Sequence, residues 1–153
     1  MKVKIKLADG AILPSYAKKG DAGMDVTAIS KRIVDEGDYG FIEYGTGLFF
    51  ELDPLHYIDI RPRSSISNTG MILANAPGTL DSGYTGELKL RFKWIPDTRQ
   101  YEIGDRVAQI MVKTYEEVVF EIIEELQVTD RGSGGFGSTN KTKEDEEVLV
   151  NQS

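Results

Sequence analysis

The sequence has no cysteine and a single histidine, His56, and these two shortages remove several kinds of chemistry. Disulfide bonds and Cys/His zinc sites are excluded. The H-x-E and P-C-x-x-C signature of the zinc deaminases cannot be assembled. A Ser-His-Asp triad would have to use His56, which we expect in a strand or loop, and no G-x-S-x-G elbow accompanies it. Any catalysis therefore depends on carboxylates, arginines, hydroxyls, backbone amides and a hard metal ion.

Long apolar runs and a positive net charge are also missing. No apolar stretch approaches the ~20 residues that span a bilayer. The N-terminal M-K-V-K-I-K-L alternates instead of forming the apolar block of a signal peptide, so we expect a cytoplasmic protein. A net charge of −7 argues against a general nucleic-acid binder. A cleft with a few arginines and a cation can still attract a small polyanion.

Short strands are the dominant pattern of the chain, whose 153 residues suffice for one domain with a real core. Apolar or alternating runs between Gly, Pro, Asp and Asn predict strands at residues 2–7, 47–51, 56–60, 71–75, 87–94 and 106–113. A short helix is expected at residues 64–68. Many short strands separated by turn signals predict an all-β sandwich, barrel or jelly roll.

The composition changes at residue 130. The stretch R-G-S-G-G-F-G-S-T at residues 131–139 lacks the lysine of a P-loop and has no strand clearly leading into it. Its Arg and Phe are unusual for a plain linker. We therefore divide the chain into a β domain (residues 1–129), a lid that closes over phosphate (130–139) and an acidic, flexible tail (140–153).

Three further motifs offer chemistry, and each also has a purely structural interpretation. D-A-G-M-D at residues 21–25 places a carboxylate beside a glycine turn, which by itself is more often a plain turn. R-P-R-S-S at residues 61–65 offers a guanidinium fork and hydroxyls for phosphate, or simply a helix start. Residues 75–86 predict a β-hairpin that carries Tyr84 and, in its turn, a buried Asp81. Its backbone could bind a base edge, although such a hairpin is more often structural.

Taken in order, these pieces resemble the five motifs of the trimeric dUTPase family. The resemblance covers residues 21–139, and five motifs in register are highly specific. The matching stretches are A-G-M-D (22–25), P-R-S-S (62–65), G-T-L-D-S-G-Y-T-G (78–86), G-D-R-V-A-Q (104–109) and the glycine-rich stretch 131–139. The third motif departs from many members by having Gly83 at an acidic position, and Ala76-Pro77 precedes its first glycine.

The resemblance implies an all-β jelly-roll or β-clip barrel that forms a homotrimer with a mobile C-terminal lid. It implies an enzyme that uses Mg²⁺ to hydrolyse dUTP to dUMP and pyrophosphate, which keeps uracil out of DNA and supplies dUMP for dTMP synthesis. Asp81 would activate the water that attacks the α-phosphorus. Each active site would be built from three subunits.

The same resemblance assigns roles to the other site residues. Arg63, Ser64, Ser65 and Gln109 would hold the phosphates, and Asp25 would contact Mg²⁺ through water. Asn75 and the backbone of Gly78, Thr79 and Leu80 would bind uracil, with Lys89 facing the same pocket. Tyr84 would leave no room for a 2′-hydroxyl. The lid residues would be Arg131, Gly135, Phe136, Gly137, Ser138 and Thr139, with Phe136 over the base and Arg131, Ser138 and Thr139 on the terminal phosphates.

Three alternatives remain open at this point. A dCTP deaminase of the same superfamily would release ammonia from dCTP. A regulatory member would bind dUTP and signal through a protein partner. A β-sandwich binding module would have no nucleotide role, and it would leave the joint occurrence of the five motifs unexplained.

Overall fold

The computed structural model describes residues 1–34, 37 and 40–135. The chain divides into two units, Met1–Glu117 and Val118–Ser153. Among the described residues, none lies in a helix long and apolar enough to cross a membrane.

The first unit is built from short strands. They are β1 (Lys4–Leu7), β2 (Met24–Thr27), β3 (Ser30–Val34), β4 (Phe41–Glu51), β5 (His56–Pro62), β6 (Met71–Leu73), β7 (Gly78–Asp81), β8 (Glu87–Trp94) and β9 (Arg106–Thr114). A single-turn 3₁₀ helix spans Ser64–Asn68. Strand β8 alternates between buried and exposed side chains over most of its length, the pattern that one packed face requires.

Two antiparallel sheets enclose the core. In the first sheet the order is β1-β4-β8-β6, with β3 also paired to β4; in the second it is β2-β9-β5-β7. Apolar side chains from both sheets fill the space between them, and Ile42, Leu90, Ile58 and Ile110 are fully buried or nearly so. This is the sandwich arrangement expected of a jelly roll.

A cluster of three aromatic rings lies at one end of this core. Tyr44 contacts Phe92 and Tyr101 edge to face, with ring centroids 5.5 and 6.5 Å away. The Tyr44 hydroxyl donates a hydrogen bond to the carbonyl oxygen of Tyr101 at 2.7 Å. Burial raises the pKa of Tyr44 far above its usual range. The cluster fixes the segment that leads into β9.

A glycine interrupts the regular pairing of β4. The register between β4 and β8 shifts between Gly45 and Phe49, and Gly47 within that stretch has φ 67°. A Cβ at Gly47 would also come within 2.7 Å of Ile29 and 2.9 Å of Ala11. Glycine is therefore required here both by the left-handed backbone and by the close neighbours. The bulge lets the long strand β4 pair with both β1 and β3.

The all-β prediction is confirmed. The short helix and β8 have the predicted bounds, and the other five predicted strands exist with shifted ends. Strand β4 begins at Phe41, six residues before the predicted start. Strands β2, β3 and β7 were missing from the sequence prediction; each has only four or five residues. Such strands offer too few positions for alternation to be recognised.

The predicted hairpin at residues 75–86 is wrong. Strand β7 pairs with β5 in the second sheet, whereas its sequence neighbours β6 and β8 pair with each other in the first. The chain therefore crosses from one sheet to the other and back. Asp81 was expected to be buried, but it is exposed at the end of the edge strand β7.

The second unit is described only over residues 118–135, and no strand or helix occurs within that range. Several of its large apolar side chains are almost fully exposed: Val119 92%, Phe120 89%, Ile122 97% and Val128 99%. An exposed apolar series of this length is typical of a segment that another chain covers.

Candidate active site

A cleft of about 470 Å³ is lined by residues of β7 in the second sheet and of β8 in the first. Its lining combines backbone and side chains from both sheets. Six of the residues predicted from the sequence line it: Asn75, Thr79, Leu80, Asp81, Tyr84 and Lys89. The structure therefore brings the predicted catalytic and base-binding residues together around one concave surface.

Strand β7 fixes the inner wall of the cleft. Leu80 is buried opposite Ile58, and Gly78 is buried opposite Ile60. A Cβ at Gly78 would come within 3.2 Å of both Asn75 and Ile60, so this position has little room for a side chain. Thr79 and Asp81 point to the opposite face of the strand, because side chains alternate along it. Asp81 is thus presented to solvent from a strand whose other face is anchored in the core.

The opposite wall of the cleft carries a buried carboxylate that the sequence prediction missed. Glu43, 6% exposed, lies between Arg32 and Arg91 on the neighbouring strands. Its two oxygens accept hydrogen bonds from Arg91 Nε at 2.9 Å and Arg32 Nη2 at 3.1 Å. Lys89 Nζ lies 3.7 Å away. Burial alone would raise the pKa of Glu43, but the hydrogen bonds from Arg91 and Arg32 outweigh it and lower that pKa.

A second group of predicted residues surrounds Asp25 on β2. The Asp25 carboxylate, 8% exposed, accepts a hydrogen bond from Arg63 Nε at 2.7 Å and one from Arg106 Nη1 at 3.0 Å. Gln109 Nε2 lies 3.4 Å from the same carboxylate. A second Arg63 nitrogen, Nη1, donates to Ser65 Oγ at 3.3 Å. This arrangement holds the Arg63 guanidinium in one orientation beside two hydroxyl-bearing residues, Ser64 and Ser65.

Arg106 and Tyr101 belong to this group and were given no role from the sequence. Arg106 stands within the fourth motif, so its guanidinium could have been noted as a partner for a carboxylate. The Tyr101 hydroxyl lies 3.4 Å from Ser65 Oγ and joins the aromatic cluster to the group. The pairing of Tyr101 with Ser65 spans 36 residues, and no local pattern indicates it.

The cleft and the Asp25 group lie at opposite edges of the second sheet. Strand β7, which carries Asp81, and β2, which carries Asp25, are its two edge strands. Three strand spacings, about 14 Å, separate them. The described lining of the cleft contains neither Asp25 nor Arg63, Ser64, Ser65 and Gln109.

An ion network occupies the sheet face between these two groups. Asp59 on β5 is buried and accepts hydrogen bonds from Arg61 and Lys113. The hydrogen bonds from Arg61 and then Lys113 lower the pKa of Asp59. From the strand register, Asp59 shares its face with Thr79 on one side and Met111 on the other. The face between the two groups is therefore already filled by charged side chains.

The lid residues are described only in part. Arg131 is exposed, and its Nε donates to the Gly134 carbonyl oxygen at 3.1 Å within a glycine turn. Gly135 is also exposed. The predictions for Phe136, Gly137, Ser138 and Thr139 lie outside the described residues.

The described residues contain no group of three or more histidine, cysteine, aspartate or glutamate side chains that could hold a metal ion. Mg²⁺ that accompanies a nucleotide keeps several waters and uses one or two carboxylates plus phosphate oxygens, so it needs no such cage. Oδ1 of Asp25 accepts hydrogen bonds from Arg63 and Gln109, whereas Oδ2 accepts one from Arg106 and has a further lone-pair direction for a metal-bound water. The site thus fits a Mg²⁺ ion that is carried by the nucleotide.

Comparison with known proteins gives a consistent result. The sequence model of the dUTPase family matches residues 9–140. The deoxyuridine 5′-triphosphate nucleotidohydrolase of Clostridium acetobutylicum is 37% identical over 145 residues, 94% of this chain and 98% of that protein. The protein of the same name from Clostridioides difficile is 39% identical over 141 residues, 91% of this chain and 96% of that one.

Solved structures show the same fold. A mutant of the Staphylococcus bacteriophage 80alpha dUTPase, with dUpNHpp, superposes with a TM-score of 0.71 at 21% identity, over 90% of this chain and 98% of that one. A mutant dUTPase of the S. aureus phage phi11, a structure that shows the coordination of a structural Mg(II) ion, superposes with a TM-score of 0.65 at 18% identity, over 82% and 98% of the two chains. At these identities the superpositions show the shared fold alone.

Proposed function

The chain belongs to the dUTPase family, and we propose that it hydrolyses dUTP to dUMP and pyrophosphate. The observation that carries the proposal is the cleft in which Asp81, Asn75, Tyr84 and Lys89 converge. The match covers 98% and 96% of the two relatives' own lengths. A cytoplasmic location stays a prediction.

Asp81 is the proposed general base. Its exposed carboxylate projects into the cleft from a strand held by the core, so it can accept a proton from a bound water. The oxygen of that water attacks the α-phosphorus in line, and the bond from this phosphorus to the bridging oxygen of the β-phosphate breaks. Pyrophosphate leaves and dUMP remains. Such a reaction depends on positioning and charge neutralisation and needs no cysteine or histidine.

The phosphates are assigned to the group around Asp25. Arg63 donates from Nε to Asp25 and from Nη1 to Ser65, which leaves its Nη2 for phosphate oxygens. Ser64, Ser65 and Gln109 add hydroxyl and amide donors. Mg²⁺ bound to the triphosphate would neutralise the charge that develops during the reaction, with Asp25 accepting a hydrogen bond from a metal-bound water.

Uracil is assigned to Asn75 and to the backbone of residues 78–80, with Lys89 opposite them. A rigid backbone can reject the thymine methyl group sterically. Cytosine would leave unpaired donors and acceptors, each costing about 1–3 kcal/mol. Discrimination between the bases therefore follows from the fixed geometry of β7.

A homotrimer with shared sites is the proposed assembly. Two observations support it: the catalytic cleft and the Asp25 group occupy opposite edges of one sheet, and apolar side chains between residues 118 and 128 are exposed in the single chain. In the proposed assembly one subunit supplies the cleft, a second supplies the phosphate-binding residues around Asp25, and a third supplies the lid. Arg131, Gly135 and residues 136–139 would close over the bound nucleotide.

The test is pyrophosphate release with Mg²⁺ from dUTP, dCTP, dTTP and UTP in parallel, with ammonia release from dCTP measured beside it. Strong turnover of dUTP and little of the other three is the expected result. Ammonia from dCTP would favour the deaminase reaction. Tight binding of dUTP without turnover would contradict the hydrolase and favour a regulatory role.

A further inference from the structure

The side chain of Tyr84 folds back over its own loop. Its hydroxyl donates a hydrogen bond to the carbonyl oxygen of Glu87 at 3.0 Å. Its backbone N–H donates to the carbonyl oxygen of Asp81 at 3.1 Å. The ring lines the cleft and is 49% exposed. Tyr84 is therefore held at its base and its tip, while one side of the ring faces the space where substrate binds.

Gly86 lies directly beneath this ring. A Cβ at Gly86 would come within 2.5 Å of the Tyr84 hydroxyl oxygen, 2.6 Å of Cζ and 3.1 Å of Cε2, and these are its three nearest heavy atoms outside the adjacent residues of the chain. Carbon atoms at optimal contact are about 3.5–4.0 Å apart. The φ of Gly86 is outside the left-handed region. Alanine would therefore fit the backbone and collide with the tyrosine.

The collision can be relieved by a movement of the Tyr84 ring. Because half of the Tyr84 surface already faces solvent, the ring can rotate away at little cost in buried area. Moving it breaks the hydrogen bond to Glu87 and takes the ring from its place in the cleft. The loop backbone, fixed by β7 on one side and β8 on the other, has less freedom to respond.

We propose that Gly86 is a specificity-determining position that acts through Tyr84: its lack of a side chain lets the tyrosine lie where it excludes a ribose 2′-hydroxyl. This inference rests on the proposed function, because it concerns the choice between dUTP and UTP. Gly86 itself contacts no substrate in this scheme. It is a positioning residue whose effect is lost when the tyrosine is lost.

The same loop supplies a matched control. Gly83 lies three residues before Gly86, and a Cβ there would have no heavy atom within 4 Å other than those of its two chain neighbours. Gly83→Ala thus adds the same methyl group to the same loop at a position where it meets no residue beyond the adjacent ones, whereas the methyl group of Gly86→Ala meets a ring two residues away. An effect shared by both alanines would come from the loop backbone, and an effect of Gly86→Ala alone would come from the tyrosine.

The experiment compares kcat/KM for dUTP and UTP, by pyrophosphate release with Mg²⁺, in the unchanged protein, Gly86→Ala, Gly83→Ala, Tyr84→Ala and the Tyr84→Ala/Gly86→Ala double variant. We expect Gly86→Ala to lower the preference for dUTP over UTP by about 10–100-fold. This is the discrimination between two substrates that one small group in a binding pocket typically provides. Gly83→Ala should keep the original preference. The double variant should match Tyr84→Ala, because the new methyl group then meets no ring.

Several outcomes would overturn the inference. Normal dUTP turnover with an unchanged dUTP/UTP ratio in Gly86→Ala would overturn it alone and leave the proposed function standing. A further loss of preference when Gly86→Ala is added to Tyr84→Ala would show that the glycine acts in another way. Thermal unfolding should show Gly86→Ala folded; an unfolded variant would mean that the ring does not move aside. Failure of the unchanged protein to hydrolyse dUTP would overturn the proposed function and the inference with it.

Discussion

Individual side chains of the candidate site are held by partners that lie far away in the sequence. Asp25 and Glu43 are both buried carboxylates, and each is placed between two guanidinium groups. The sequence shows the residue types but not these pairings, because strands that lie apart in the chain bring them together. The motifs therefore predicted Asp25 and Arg63 as site residues, whereas Glu43 and Arg106 needed the structure.

Asp81 carries the chemical step in the proposed mechanism. Asp81→Asn keeps the shape of the cleft and removes the acceptor for the water proton. We expect dUTP binding within a few-fold of the original and turnover reduced by at least about 100-fold, the usual contribution of a general base. Calorimetric binding and pyrophosphate release measure the two effects. Asp97→Asn, in an exposed loop, is the control, and near-normal turnover in Asp81→Asn would remove Asp81 from its role.

Glu43 should contribute stability that depends on pH. Its pKa is lowered in the folded protein from the ordinary value of 4.5, so its contribution is present above pH 4.5 and is lost as the pH falls through the lower folded value. Glu43→Gln should therefore lower the free energy of unfolding by about 1–3 kcal/mol at pH 7. The difference from the unchanged protein should shrink as the pH is lowered below 4.5.

Urea unfolding between pH 3 and pH 7 tests this expectation. Glu51→Gln on the same strand is the matched control, since Glu51 pairs with Lys4 at an exposed position. Exposed pairs contribute about 0–1 kcal/mol. A Glu43→Gln deficit that is constant with pH would show that the charge of Glu43 does not stabilise the fold.

At the scale of strands and loops, the length of a segment decided whether the sequence revealed it. Strands β8 and β9 have eight and nine residues, and their predicted bounds agree with the structure to within one residue. Short strands such as β2 and β7 have too few residues for an alternation of apolar and polar side chains to be recognised. The hairpin prediction failed for a different reason: local turn residues do not say which sheet a strand joins, and β7 finds its partner in β5.

Removal of the lid should lower the activity and leave the assembly intact. Deleting residues 131–153 should leave the assembly intact, because the strands and the apolar stretch 118–128 remain. Hydrolysis of dUTP should fall by about 100-fold or more, since an open site admits water and loses its phosphate donors. Deleting residues 140–153 alone should leave turnover unchanged. Full activity in the longer deletion would show that the lid is dispensable.

The whole molecule is proposed to be a trimer, and nothing in the periodicity of the sequence indicates one. The resemblance supplied that expectation, and the structure adds an exposed apolar stretch that a single chain leaves uncovered. Light scattering should give a mass three times that of the 17.0 kDa chain. A monomeric mass at enzyme concentrations that support turnover would contradict the shared-site scheme.

The position of Asp81 and Asp25 at opposite edges of one sheet has a genetic consequence. In the proposed trimer each site takes its cleft from one subunit and its phosphate-binding residues from another. Two variants that are inactive alone can therefore form active sites in a mixed trimer. Mixing Asp81→Asn chains with Arg63→Ala chains, by co-expression or by refolding together, should restore about a quarter of the sites by random assortment in the trimer. Two alleles that each fail alone would then support growth when present together.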